Sequence, residues 1–199
     1  MKTIYQNALQ NSMLYNDYLK LMDEKIAQHL STGHEQNDML SDFTKLNRAR
    51  MKRLDKTQEI TPELQNATQA ITQKQIWMVL TESWCGDAAQ NVPVLKKLAD
   101  LNPLIDLRLI LRDDNDALMQ QYLTNGGKSI PKLIAVSDDL ETELFTWGPR
   151  PATAQIEVKR LLEEQGGFNE KVKEGIQVWY NNDKGLSMQT EMLALLQNL

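Results

Sequence analysis

The sequence predicts an α/β fold, a central mixed sheet flanked by helices, carried between helical extensions at both ends. Three observations predict it. Residues 76–80 are a short unbroken apolar run, the pattern of a strand buried on both faces, and from Asp87 onward Ala88, Ala89, Val92, Leu95, Leu98 and Ala99 recur at helical spacing. Strand-like and helix-like segments alternate from 76 to 165 in the order β-α-β-α-β-β-α, whose first βα unit implies parallel pairing. Residues 1–74 and 168–199 carry helical periodicity alone.

Taken in order, residues 3–30 read as one helix, with Ile4, Ala8, Leu9, Tyr15, Tyr18 and Leu19 at three- and four-residue steps up to the break at Ser31-Thr32-Gly33. A second helix is predicted over 34–56, with Met39, Leu40, Phe43, Leu46, Met51 and Leu54 on one side. Thr61-Pro62 opens a third over 61–72, Thr as N-cap and Pro at the first position. Strand 76–82 then leads to helix 86–101, and Asn102-Pro103 breaks the chain before strand 105–111. Asp113 or Asp114 is placed to cap a helix over 115–124, ended by Asn125-Gly126-Gly127. Strand 132–137, a turn at 137–139 and strand 141–147 form a hairpin, and helix 152–165 stops at Gly166-Gly167. Two more helices are predicted over 169–181, lined by Val172, Ile176 and Trp179, and over 186–198, lined by Met188, Met192, Leu195 and Leu196. The chain thus divides into an N-terminal helical extension packed on the core (1–74), the core (75–167) and a C-terminal helical extension (168–199).

Composition narrows the classes of function. With 41% apolar and 25% charged residues the chain has an ordinary globular balance. A net charge of −5 argues against general nucleic-acid binding, and no apolar run approaches a membrane span. The first twenty residues have one early Lys and no apolar h-region, unlike a signal peptide, so a cytoplasmic location is expected. One cysteine, Cys85, excludes an internal disulfide and fits a reducing compartment. His29 and His34 lack companion cysteines at metal spacing, and Gly126-Gly127-Lys128-Ser129 lacks the earlier glycine of a phosphate loop, so neither a metal nor a cofactor is expected.

Cys85 stands at a strand-to-helix junction, where free N–H groups and the helix dipole favour thiolate. Trp84-Cys85-Gly86-Asp87-Ala88 resembles the active-site turn of thioredoxins, Trp-Cys-Gly-x-Cys, with Ala88 in place of the second cysteine. Pro93 matches that family's helix-kinking proline. Ser129-Ile130-Pro131-Lys132 and the strand after it resemble the cis-proline loop, and Trp147-Gly148 resembles the glycine beside the turn. The likeness covers roughly 75–165, and the whole chain is similar to a bacterial thioredoxin-like group with helical extensions, some with this single-cysteine turn.

The resemblance implies thiol–disulfide exchange, in which a thiolate attacks a disulfide sulfur. Ala88 cannot release the mixed disulfide, so an external thiol must, as in a monothiol glutaredoxin. Protein or low-molecular-weight thiols and disulfides are the implied partners, Trp84 flanks the thiol, and Pro131 with Ile130 would align an extended substrate. The family's buried acid on the strand is here Val79; Glu82 and Asp87 are the nearest substitutes. Asp87 is an anion that pushes a neighbouring thiol upward against the helix end, and the sequence does not decide between them. By the resemblance Arg150, with Gly148, lies beside the turn as a cation for thiolate or carboxylate; Arg112 ends the second strand at the same sheet edge. In the basic run 45–56, Arg48 or Arg53 is placed to face the turn, while Arg50, Arg53 and Lys56 also fit a solvated face. The alternatives to exchange are a redox-inactive peptide- or ligand-binding adaptor and a single-thiol sensor. Oligomeric state is not encoded in any of these features.

Overall fold

The computed structural model describes residues 1–199. Its centre is β1 (Gln75–Thr81), buried at every position but Ile76. β1 pairs in parallel with β2 (Ile105–Leu111) and antiparallel with β3 (Lys132–Ser137), which pairs antiparallel with β4 (Glu143–Trp147), giving the order β2-β1-β3-β4. A central strand with helices on both faces has no solvated side, hence its unbroken apolar run. Trp77 is fully buried, donates from Nε1 to Gln75 Oε1 at 2.9 Å and meets Phe145 edge to face.

The remaining elements are helices: α1 (Lys2–Gln10), α2 (Tyr15–Ala27), α3 (Asp38–Thr57), α4 (Pro62–Gln69), α5 (Gly86–Leu101), α6 (Asp116–Met119), α7 (Ala152–Gln165), α8 (Glu170–Asp183) and α9 (Leu186–Leu196). α5, β2, β3 and α7 have the predicted bounds, and α7 ends on Gly166 in the left-handed region at φ 68°.

Four predicted elements depart from the observed ones by more than two residues. The single helix predicted over 3–30 is two, α1 and α2. The Ser12 hydroxyl donates to the Leu9 carbonyl, and Met13 bridges Leu109 with two 2.8 Å backbone bonds, so this segment borders β2. α3 starts at Asp38, where Asn37 caps it by accepting the Leu40 N–H at 2.9 Å; residues 34–37 lie in the preceding loop. α4 ends at Gln69, and Thr61 makes no side-chain cap. The helix over 115–124 is only four residues, entered from Asn115 rather than Asp113 or Asp114, and continues as tight turns through Tyr122.

One core of 35 buried residues runs through the sheet and into both extensions, taking in Tyr5, Tyr18 and Met22 at one end and Met188, Met192 and Leu196 at the other. Gln189 ties the extensions together: its Oε1 accepts the Thr61 N–H at 2.8 Å and its Nε2 donates to the Glu59 carbonyl at 3.0 Å. α8 stands apart from that core. Val172, Ile176 and Tyr180 form a separate small cluster with Leu161 of α7, and Trp179 is only half-buried.

Candidate functional site at the Cys85 turn

Cys85 is the N-cap of α5, in extended conformation at φ −78° and ψ 114°. Its Sγ accepts the Ala88 N–H at 3.4 Å, one of the donors the helix start leaves free, and donates to the Ile130 carbonyl at 3.3 Å. Burial pushes the thiol up to about 12, and the Asp87 charge adds to the rise. The N–H groups of Ala88 and Asp87 and the Arg150 guanidinium oppose it without cancelling it. The competition left open by the sequence is therefore won by burial and Asp87, and the resting sulfur is a thiol that donates to a carbonyl.

Asp87 is 8% exposed and joins three elements. Its Oδ2 lies 2.6 Å from Arg150 Nη2, and its Oδ1 accepts the Tyr180 hydroxyl at 2.8 Å. Asn91 Nδ2 donates to the Tyr180 hydroxyl oxygen and to the Asp87 carbonyl. Burial, then the Asp87 charge, raises the Tyr180 phenol, so it stays a donor at neutral pH. Burial disfavours the Arg150 charge, but Asp87 more than offsets this and the guanidinium rises. Arg150 thus binds Asp87 first, rather than a thiolate.

The other predicted residues separate. Trp84 is half-buried beside the thiol with the Arg112 guanidinium 5.0 Å from its ring centre, and Arg112 pairs with Asp113 at 2.7 Å. Ile130 contributes its carbonyl to Cys85, and the Ile130–Pro131 peptide is cis, as is Gly148–Pro149. Gly148 holds φ 110°, and a Cβ there would sit 2.2 Å from the Pro131 carbonyl oxygen. Glu82 is fully buried near Arg112, its Oε1 accepting the Asp113 N–H at 3.0 Å and its Oε2 unpartnered. Burial raises its carboxyl. Arg48 turns to α2 and pairs with Asp23 at 2.9 Å, away from the turn. His34 pairs with Asp114 at 3.0 Å.

A cavity of about 1000 Å³ opens over Cys85. Trp84, Cys85, Arg112, Ile130 and Arg150 form its floor and sides, while α3 and α8 bound it above. Met39 and Leu46, predicted on one side of α3 with residues that are buried, are exposed here and line the cavity. Four contributors carry no sequence signal for the site: Arg50, whose basic run fits a solvated face, and Tyr180, Gln177 and Phe168 of the C-terminal extension. Tyr180 follows Val172 and Ile176 at four-residue steps, which marks a buried face but not the residue it reaches.

A family model described as Thioredoxin matches residues 33–163. In structure the chain is similar to a protein of unknown function, PA1234, from Pseudomonas aeruginosa, at TM-score 0.62 and 14% identity, covering 97% of this chain and 96% of that one. It is also similar to an HIV epitope-scaffold at TM-score 0.56 and 16% identity, covering 94% and 99%. Both likenesses extend across the helical extensions as well as the core, and at these identities they speak for fold alone. None of the curated proteins matches the chain.

Proposed function

The chain belongs to the thioredoxin family, and we propose that it uses the fold to bind a small organic ligand over Cys85, with the thiol protonated at rest. The observation that carries this reading is the covered thiol. Cys85 is 7% exposed, donates to the Ile130 carbonyl and lies at the floor of a cavity large enough for a small molecule. A thiol held near 12 supplies little thiolate at neutral pH, and thiolate is the attacking species in exchange.

Monothiol exchange is the second reading. It is favoured by the Ala88 N–H on Sγ and by the Ile130 carbonyl beside the thiol, at the loop that resembles the family's substrate-aligning one. In that reaction the Cys85 thiolate attacks one sulfur of a disulfide and expels the other as thiolate. A second, external thiol then attacks the mixed disulfide and restores Cys85.

The rate of Cys85 alkylation against pH, in the native protein, separates the two. The binding reading expects a midpoint well above the ordinary cysteine value of about 8.5. A midpoint below about pH 7, together with a stable mixed disulfide on mixing with small disulfides, would replace it with exchange.

A further inference from the structure

The cavity over Cys85 holds one cation that the fold leaves unsatisfied. Arg112, Lys128, Arg150 and Lys173 are each paired with a carboxylate, of Asp113, Asp116, Asp87 and Glu170 respectively. Arg50 has none. It is half-buried, and its only hydrogen bond runs from Nη1 to Asn47 Oδ1 at 2.9 Å. Nε and Nη2, the fork that matches a carboxylate, are left free. Arg53, one turn further along α3, also lacks a carboxylate and adds positive charge beside it. Glu174, the one lining acid without an ion pair, is exposed and remains in water.

Arg50 lies deep. Its Nη1 is 3.7 Å from the point where a side chain on Gly86 would begin, one residue from the thiol. The rim is apolar. Met39, Leu46, Phe168 and Val178 line the cavity at 51%, 45%, 61% and 58% exposure, and they are four of the ten large apolar side chains exposed anywhere in the chain. Such a concentration around one opening marks a contact surface rather than scattered exposure. The two features are ordered along one path, cation beside the turn and apolar surface at the mouth.

We infer that this cavity takes an amphipathic organic anion, a carboxylate on a single apolar chain, with the carboxylate on Arg50 beside Gly86 and the chain running out between Leu46 of α3 and Val178 of α8. The inference rests on the binding reading of the site and specifies its ligand.

Titration calorimetry on the full chain tests it with decanoate, decanol and decyltrimethylammonium, all below their aggregation limits. Decanoate should bind at least about tenfold tighter than decanol, the range of a charge-assisted hydrogen bond, and the cation should not bind. Arg50→Gln should remove that advantage and leave decanol unchanged. Val178→Asn, at an exposed position, should weaken decanoate and decanol alike, with melting curves confirming that both variants fold. Decanoate no tighter than decanol, or decanoate binding unchanged in Arg50→Gln, overturns the ligand class. If decanol still binds and slows Cys85 alkylation, the failure lies with the anion and not with the binding reading. A Cys85 that reacts as a thiolate in the free protein removes that reading itself.

Discussion

At the scale of single residues, Gly148 is where backbone geometry constrains the site most tightly. A Cβ at its φ of 110° would lie 2.2 Å from the Pro131 carbonyl oxygen, a backbone atom that cannot swing aside. Gly148→Ala should therefore cost about 2 kcal/mol or more through strain and crowding. A urea midpoint equal to that of the parent protein would contradict the geometry. Cys85 gives a second, pH-dependent test. Its folded value of about 12 lies above the unfolded value near 8.5. The folded state therefore prefers the protonated thiol. The associated stability is complete below about pH 8.5 and is lost as pH climbs toward 12. Cys85→Ser, which has no thiol to titrate, should lose less stability between neutral and strongly alkaline pH than the parent. Parallel pH curves for the two proteins would mean that the thiol is not held up by burial. The sequence placed Cys85 at the helix start but could not supply this sign, because the deciding quantity is how much of the chain covers it.

At the scale of elements, α8 is a roof fastened chiefly by polar bonds. It shares its apolar cluster with α7 and meets the Cys85 turn and α5 through Tyr180 to Asp87, Asn91 to Tyr180 and Gln90 to Gln177. Tyr180→Phe keeps the ring and removes the donor, leaving a buried carboxylate oxygen short of a partner. The expected loss is about 1–3 kcal/mol, with faster alkylation of Cys85 as α8 loosens. Unchanged alkylation would show that α8 is held by its packing instead. The same contrast decides what could be read from the chain. α5, β2, β3 and α7 were legible because caps, breakers and periodicity lie inside each segment. The α1–α2 break was not, since Ala8, Tyr15 and Tyr18 keep helical spacing across it and its cause is Met13 pairing with Leu109. Met39 and Leu46 have the right period for burial, but whether a partner faces them is a tertiary fact. The thiol, Trp84 and Ile130 of the site could be named from local motifs, whereas Arg50 and Tyr180 arrive from distant elements.

At the scale of the whole molecule, the extensions are built into the core rather than hung from it. The sheet's apolar core continues without a break into Tyr5, Tyr18 and Met22 on one side and Met188, Met192 and Leu196 on the other. The two extensions also bond to each other through Gln189. An appended tail would leave a stable core behind when removed, and this arrangement should not. Ending the chain at residue 167 strips α9 from the core and exposes the surfaces that Met188, Met192 and Leu196 cover. At about 1.5–3 kcal/mol for each large apolar side chain, the loss is about 5 kcal/mol or more. That equals the lower end of the whole stability of a domain, about 5–15 kcal/mol. The 1–167 fragment should therefore lack the single sharp urea transition of the full chain and bind hydrophobic dye before denaturant is added. A fragment that unfolds cooperatively at nearly the parent midpoint would show that the sheet is self-sufficient. The cavity roof would then be a separable addition, and the coupling of α8 to the thiol would have to be sought in ligand binding rather than in folding.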